Sequence, residues 1–187
     1  MSNYQEAIII MTIIHANDPT TKVLSLLYEQ RGDVSMHITE AFNNGAIQRA
    51  IREADTIMML GHGNQYGLFS CPRNGRYERF LITDRHVQFL RNKMCIGIWC
   101  YANLFAERYG LQGLFSGMII SELQEAIDLG IHTDKEEIDR EMIKFTSRLR
   151  DCIDRYELHE IPLHMRNLDD VRSELTTFNY RNIYYYE

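Results

Sequence analysis

Four runs along the chain are almost wholly apolar and end at polar or glycine-bearing turns: residues 7–14 (AIIIMTII), 56–60 (TIMML), 94–99 (MCIGIW) and 114–120 (LFSGMII). A strand covered on one face alternates apolar and polar side chains. Unbroken runs rich in Ile and Met therefore predict strands buried on both faces, the habit of parallel sheets. A weaker extended piece is expected at 34–38. Between these runs the apolar period becomes helical. Pro19, with Asn17 or Asp18 as cap, opens a helix through Val23, Leu24, Leu26, Leu27 and Tyr28 that Gly32 stops. Ala46, Ile47, Ala50 and Ile51 mark a second helix, Thr83 and Asp84 cap a third through Leu90, and 102–109 reads as a fourth, closed by Gly110.

Two capping-box matches, Ser121 with Gln124 and Thr133 with Glu136, place further helix starts. The second opens a long amphipathic helix to about Tyr156, with Ile138, Met142, Phe145, Leu149 and Ile153 on one face. The C-terminal stretch predicts a short helix around Val171 and an edge strand over 177–186, where tyrosines suit a half-exposed sheet. Residues 64–79, rich in Gly, Asn, Arg and Pro, read as a long mobile loop or an irregular hairpin. Strands alternating with helices predict an α/β fold: a three-layer sandwich with a mostly parallel central sheet and helices on both faces.

Composition narrows the function classes. With 187 residues, 45% hydrophobic and 25% charged, the chain has the size and character of a single folded domain spanning 1–187. Such a length buries enough surface to fold without disulfides or a metal. Cys71, Cys95, Cys100 and Cys152 form no C-x-x-C pair and no zinc-type grouping with histidine, so they read as reduced thiols with no metal or cofactor attached. A polar start without a basic signal region, and no apolar run long enough for a bilayer, point to a cytoplasmic protein with no membrane partner. A net charge of −6 and no dense basic block argue against nucleic acid.

Chemistry concentrates where two predicted strands end. The run 56–60 leads directly into Gly61-His62-Gly63, and 94–99 leads into Cys100. Ligands of open parallel sheets bind outside the carboxyl ends of the strands, and the spacing leaves room for one loop, one helix and one strand between His62 and Cys100. The two strands are therefore expected to be neighbours, with imidazole and thiol across one cleft. A thiolate is the nucleophile in such a pair, and the imidazole or the helix following Cys100 would favour it. Gly63 would let a substrate approach the backbone, its amide and that of Cys100 forming an oxyanion hole.

An apolar strand ending in His-Gly (IMMLGHG) followed by an apolar strand ending in Cys (IGIWC) resembles the caspase-like superfamily of cysteine peptidases, which includes legumains, gingipains, clostripains, metacaspases and separases. The resemblance covers roughly residues 7–121. It implies a caspase-like sheet, endopeptidase activity through a thioester without a cofactor, and a polypeptide substrate. His62 would be general acid/base and Cys100 the nucleophile. It also implies that the strand after the nucleophile helix, here 114–120, supplies a substrate pocket, lined by Ser121 and Glu122, with Glu122 favouring a basic side chain. Trp99 stands where the family usually has a small residue, so it too would border substrate, and the Gln-Ala-Cys setting of caspases proper is absent.

The opposing reading is a catalytically silent domain that binds a partner protein or small ligand at the same cleft, with Trp99 and the 64–79 segment serving recognition. A nucleotide-binding reading lacks a G-x-G-x-x-G or Walker motif. His15 falls on the same sheet edge, as a cleft residue or a loop cap. Cys95 and Cys152 read as core and Cys71 as a surface thiol. Oligomeric state is left open by the sequence.

Overall fold

The computed structural model of the protein describes residues 11–39, 44–72, 76–77 and 79–187. From β1 (Met11–His15) the chain passes a 3-10 helix (Pro19–Leu27) to β2 (Val34–Ile38), α1 (Asn44–Glu53) and β3 (Thr56–Leu60). Three short strands follow, β4 (Gly63–Asn64), β5 (Gly67–Phe69) and β6 (Phe80–Ile82), then a 3-10 turn (Asp84–His86) running into α2 (Val87–Leu90). Beyond β7 (Met94–Ile98) come α3 (Ala102–Tyr109), β8 (Gly113–Ser116), α4 (Leu123–Asp128), α5 (Lys135–Arg155), α6 (Ile161–Leu168), α7 (Glu174–Arg181) and β9 (Ile183–Tyr186).

Six strands form one sheet in the order β2-β1-β3-β7-β8-β9, parallel except for β9 at its edge, and β4, β5 and β6 make a small antiparallel sheet beside it. The apolar runs divide their side chains between two cores by parity. Ile13, Met58, Leu60, Ile96, Ile98 and Leu114 face the 3-10 helix and α4 to α7. Ile14, Ile57, Met59, Cys95, Trp99 and Phe115 face α1, α2, α3 and the small sheet. This is the three-layer α/β sandwich that the pattern predicts. Each buried Ile, Leu or Met contributes about 1.5–3 kcal/mol relative to exposure, which is why the strands tolerate almost no polar residue.

The strand after α3 ends at Ser116, short of the predicted 120. The Ser116 hydroxyl donates to the Trp99 carbonyl and accepts from its amide, and the Gly117 amide donates to Asn182. Residues 177–181 are helical because Ser173 caps α7 and the helix buries Leu175 and Tyr180, while only 183–186 form the expected edge strand. Two predicted caps move by one residue: Glu122 with Glu125 starts α4, and Asp134 starts α5. Residues 7–10 of the first apolar run and part of 64–79 lie outside the described residues. The rest of 64–79 contributes β4 and β5, so the irregular-hairpin reading fits it. Among the described residues, no helix is long and apolar enough to cross a membrane.

β1 has β2 on one side and β3 on the other. Chain connections therefore leave β1 and β3 in opposite senses, which opens a crevice beyond their carboxyl ends. The first turn of the 3-10 helix and His62 both fall there.

Candidate active site

Leu60 and Ile98 are register partners across β3 and β7. His62 and Cys100 each lie two residues further on, so both emerge at the same level and on the α5 side that Leu60 and Ile98 face. They line a narrow slot of about 30 Å³ whose walls include Val23, Leu24, Ile98, Ile119 and Met142. The slot shares Thr20, Val23, Ser121 and Met142 with an outer groove of about 530 Å³ bordered by the 3-10 helix, Glu122 and α5.

Hydrogen bonds fix the histidine half. Asp18 caps the 3-10 helix: its Oδ1 accepts from the Thr20 amide at 3.0 Å and the Thr20 hydroxyl at 2.8 Å, and its Oδ2 accepts from the Tyr77 hydroxyl at 2.8 Å. Burial works against the Asp18 charge, but the bonds from Tyr77 and Thr20 and the proximity of His62 outweigh it and hold the carboxyl below its usual range. A charged Asp18 only accepts, so it takes the single Thr20 hydroxyl proton. Thr20 Oγ1 also lies 2.8 Å from His62 Nε2 and must accept there. Donor accounting thus assigns the neutral imidazole proton to Nε2 and leaves Nδ1 as the base. The Tyr77 ring stands 5.3 Å from the imidazole, and burial together with Asp18 keeps its hydroxyl protonated and donating.

Its counterpart across the slot is apolar. The half-buried Cys100 thiol donates to the Ile119 carbonyl at 3.7 Å and lies 3.9 Å from Glu125 Oε1. Burial, then the Glu125 charge, push this thiol up to about 12, so the resting sulfur is protonated. The expectation that the following helix favours thiolate is not met: Tyr101, left-handed at φ 67°, interposes a bend between Cys100 and α3. Glu125 is held in place because its Oε2 accepts from the Ser121 amide and hydroxyl and from the Glu122 amide. Among the described residues no hydrogen bond joins His62 to Cys100.

The other expected site residues divide. Glu122 Oε1 comes within 3.8 Å of His62 Nε2, and Ser121 borders both cavities. Trp99 is 2% exposed and its side chain packs in the opposite core on Phe105, so it serves the slot chiefly as backbone. Its indole N–H donates to the Asn64 carbonyl at 3.1 Å. Gly63 is also required sterically: a Cβ there would stand 2.2 Å from the Trp99 ring and 2.6 Å from the Gly67 carbonyl, so glycine is needed to pass the indole. Phe69 donates to the His62 carbonyl, which makes Gly63 and Leu68 a non-hydrogen-bonded pair and keeps the Gly63 amide out of the β4–β5 ladder.

Asp18, Thr20, Tyr77 and Glu125 are site residues that the sequence reading did not single out. The signal for the first two was positional: a loop after β1 must meet the end of β3 at a switch point. His15 is a structural residue, buried with Nδ1 3.0 Å from the Tyr28 hydroxyl and Nε2 3.1 Å from Thr21. Among the described residues no three His, Cys, Asp or Glu side chains converge as a metal cage. Compared with known proteins, the chain matches no family model and no curated sequence.

Proposed function

We propose that this chain is a cysteine endopeptidase of the caspase-like kind, acting through His62 and Cys100. The observation that carries the reading is the pairing of Leu60 with Ile98, which sets both residues at the same level above one slot. In this mechanism a bound peptide brings its carbonyl carbon to Cys100. His62 Nδ1 takes the thiol proton as sulfur attacks, and the amides of Gly63 and Cys100 receive the developing oxyanion. The carbon–nitrogen bond breaks, the imidazolium returns its proton to the leaving amine, and a thioester remains. Water, deprotonated by His62, then releases the acid and restores the thiol. Thr20 and Asp18 keep the imidazole in the required tautomer.

A protonated resting thiol without a hydrogen bond to His62 favours the second reading, a silent domain that binds a protein partner or small ligand in the same groove. Incubating the protein with a mixed peptide library and sequencing new amino termini by mass spectrometry separates the two. The peptidase reading expects new termini with the native chain and none with Cys100→Ala. Peptide retention by both proteins with no new termini overturns it.

A further inference from the structure

Two cavities meet along Thr20, Val23, Ser121 and Met142, the inner one holding His62 and Cys100, and they differ in size and chemistry. The outer groove is roomy and carries the charged groups Glu122, Lys135 and Asp139 at its sides. The inner slot holds about 30 Å³, space for a single water molecule or a methyl group. Beyond the thiol its apolar walls are Val23, Leu24, Ile98, Ile119 and Met142, its polar ones are Thr20, Thr21, His62 and Ser121, and no carboxylate lines it. The acids near the site have other partners: Asp18 is bonded to Thr20 and Tyr77, Glu125 accepts three hydrogen bonds from Ser121 and Glu122, and Glu122 faces His62 from the exposed rim. A guanidinium or ammonium pushed into this slot would lose water among mostly apolar walls, and the nearest carboxylate, Glu125 at 3.9 Å from the Cys100 sulfur, already accepts three hydrogen bonds.

We propose that the slot selects a short apolar side chain, of alanine size, on the substrate residue whose carbonyl Cys100 attacks, and that Met142 sets the size limit. The assignment rests on the peptidase reading and replaces a basic preference with an apolar one. Met142, 5% exposed, is the largest of the four residues common to slot and groove. Shortening it joins the two spaces and admits a longer side chain. Val23, also common to both and only partly buried, does the same from the 3-10 helix.

The test uses the full chain and a set of acetyl-dipeptidyl acyloxymethyl ketones that differ only in the residue next to the ketone: Ala, Leu, Phe, Asp or Arg. The sulfur displaces the carboxylate leaving group and forms a thioether, read at Cys100 by intact mass and peptide mapping. The Ala probe should label at least about tenfold faster than each of the others, the discrimination that a methylene or more earns in a tight apolar pocket. In Met142→Ala the Leu and Phe probes should gain about tenfold relative to Ala, and Val23→Ala, the milder change, should move the ranking the same way. Glu122→Gln should leave the ranking unaltered. Fastest labelling by the Arg probe, or a ranking insensitive to both wall variants, overturns the inference and leaves the peptidase reading standing. Absence of labelling by every probe, or equal labelling in His62→Ala, overturns the peptidase reading and this inference with it.

Discussion

The two halves of the site are prepared in opposite ways. Around His62, three polar side chains from two segments, Asp18 and Thr20 at the start of the 3-10 helix and Tyr77 from the loop after β5, make a connected set of hydrogen bonds that fixes one tautomer. Around Cys100 the neighbours are apolar walls and one carboxylate, and the thiol is held protonated. On the proposed peptidase reading, the base is ready before substrate arrives, whereas the nucleophile is restrained until a carbonyl is present to receive it. A thiol kept neutral is a poor target for oxidants and electrophiles, because reactivity follows thiolate fraction.

His62→Ala breaks the comparison most directly. Removing the base should lower peptide turnover by about 10²–10⁴-fold, measured as kcat/KM, while iodoacetamide alkylation of the resting Cys100 changes little, since the two side chains are not hydrogen-bonded. Comparable losses in both measurements would show that the halves are coupled at rest.

A second effect concerns stability near the histidine half. Burial lowers His15 from 6.5 to about 4, so the folded protein holds it neutral. Between pH 6.5 and 4 the unfolded chain binds the proton that the native chain refuses, and stability present above 6.5 is lost as pH falls. The loss should approach about 3 kcal/mol from this group, by linkage at 1.36 kcal/mol per unit of pKa. Urea unfolding of His15→Gln should show a flatter acid limb than the native chain over that window.

Thr20→Val keeps the shape but removes the hydroxyl shared by Asp18 and His62. Turnover should fall about tenfold, the worth of one net hydrogen bond of about 1–1.5 kcal/mol in the transition state, mainly in kcat. An unchanged kcat would mean that the imidazole needs no orienting group. The smallest effect is expected from Glu125→Gln. Loss of the charge beside sulfur lowers the thiol pKa, so iodoacetamide alkylation of Cys100 at pH 8 should speed up several-fold, with burial still holding the thiol above its ordinary value.

How much of this was legible in the sequence follows the same division. Buried parallel strands announce themselves as apolar runs, so the sheet, and the adjacency of the strands before His62 and Cys100, could be read directly. The caps were displaced by one residue because Ser121 and Thr133 were preferred to the acids beside them, although a carboxylate accepts an amide hydrogen bond as well as a hydroxyl does. Residues 177–181 look like a strand from their β-branched and aromatic content, but burial of Tyr180 against Phe145 decides for helix. α6 leaves little sequence signal, because its pattern is short and begins at Ile161-Pro162. Asp18, Thr20 and Glu125 could not be found by motif, since each acts through a partner 25 to 59 residues away in the chain. The state of the thiol is not written in the sequence, because depth of burial is a property of the assembled walls.

The indole of Trp99 has a mechanical meaning as well. Its N–H grips the Asn64 carbonyl, and Gly63 leaves the gap through which it reaches. The small sheet is thereby pinned to the residue adjoining the nucleophile. The β4 segment is therefore joined to the neighbourhood of Cys100 both through this indole bond to Trp99 and through the Gly61 amide, which donates to the Ile98 carbonyl.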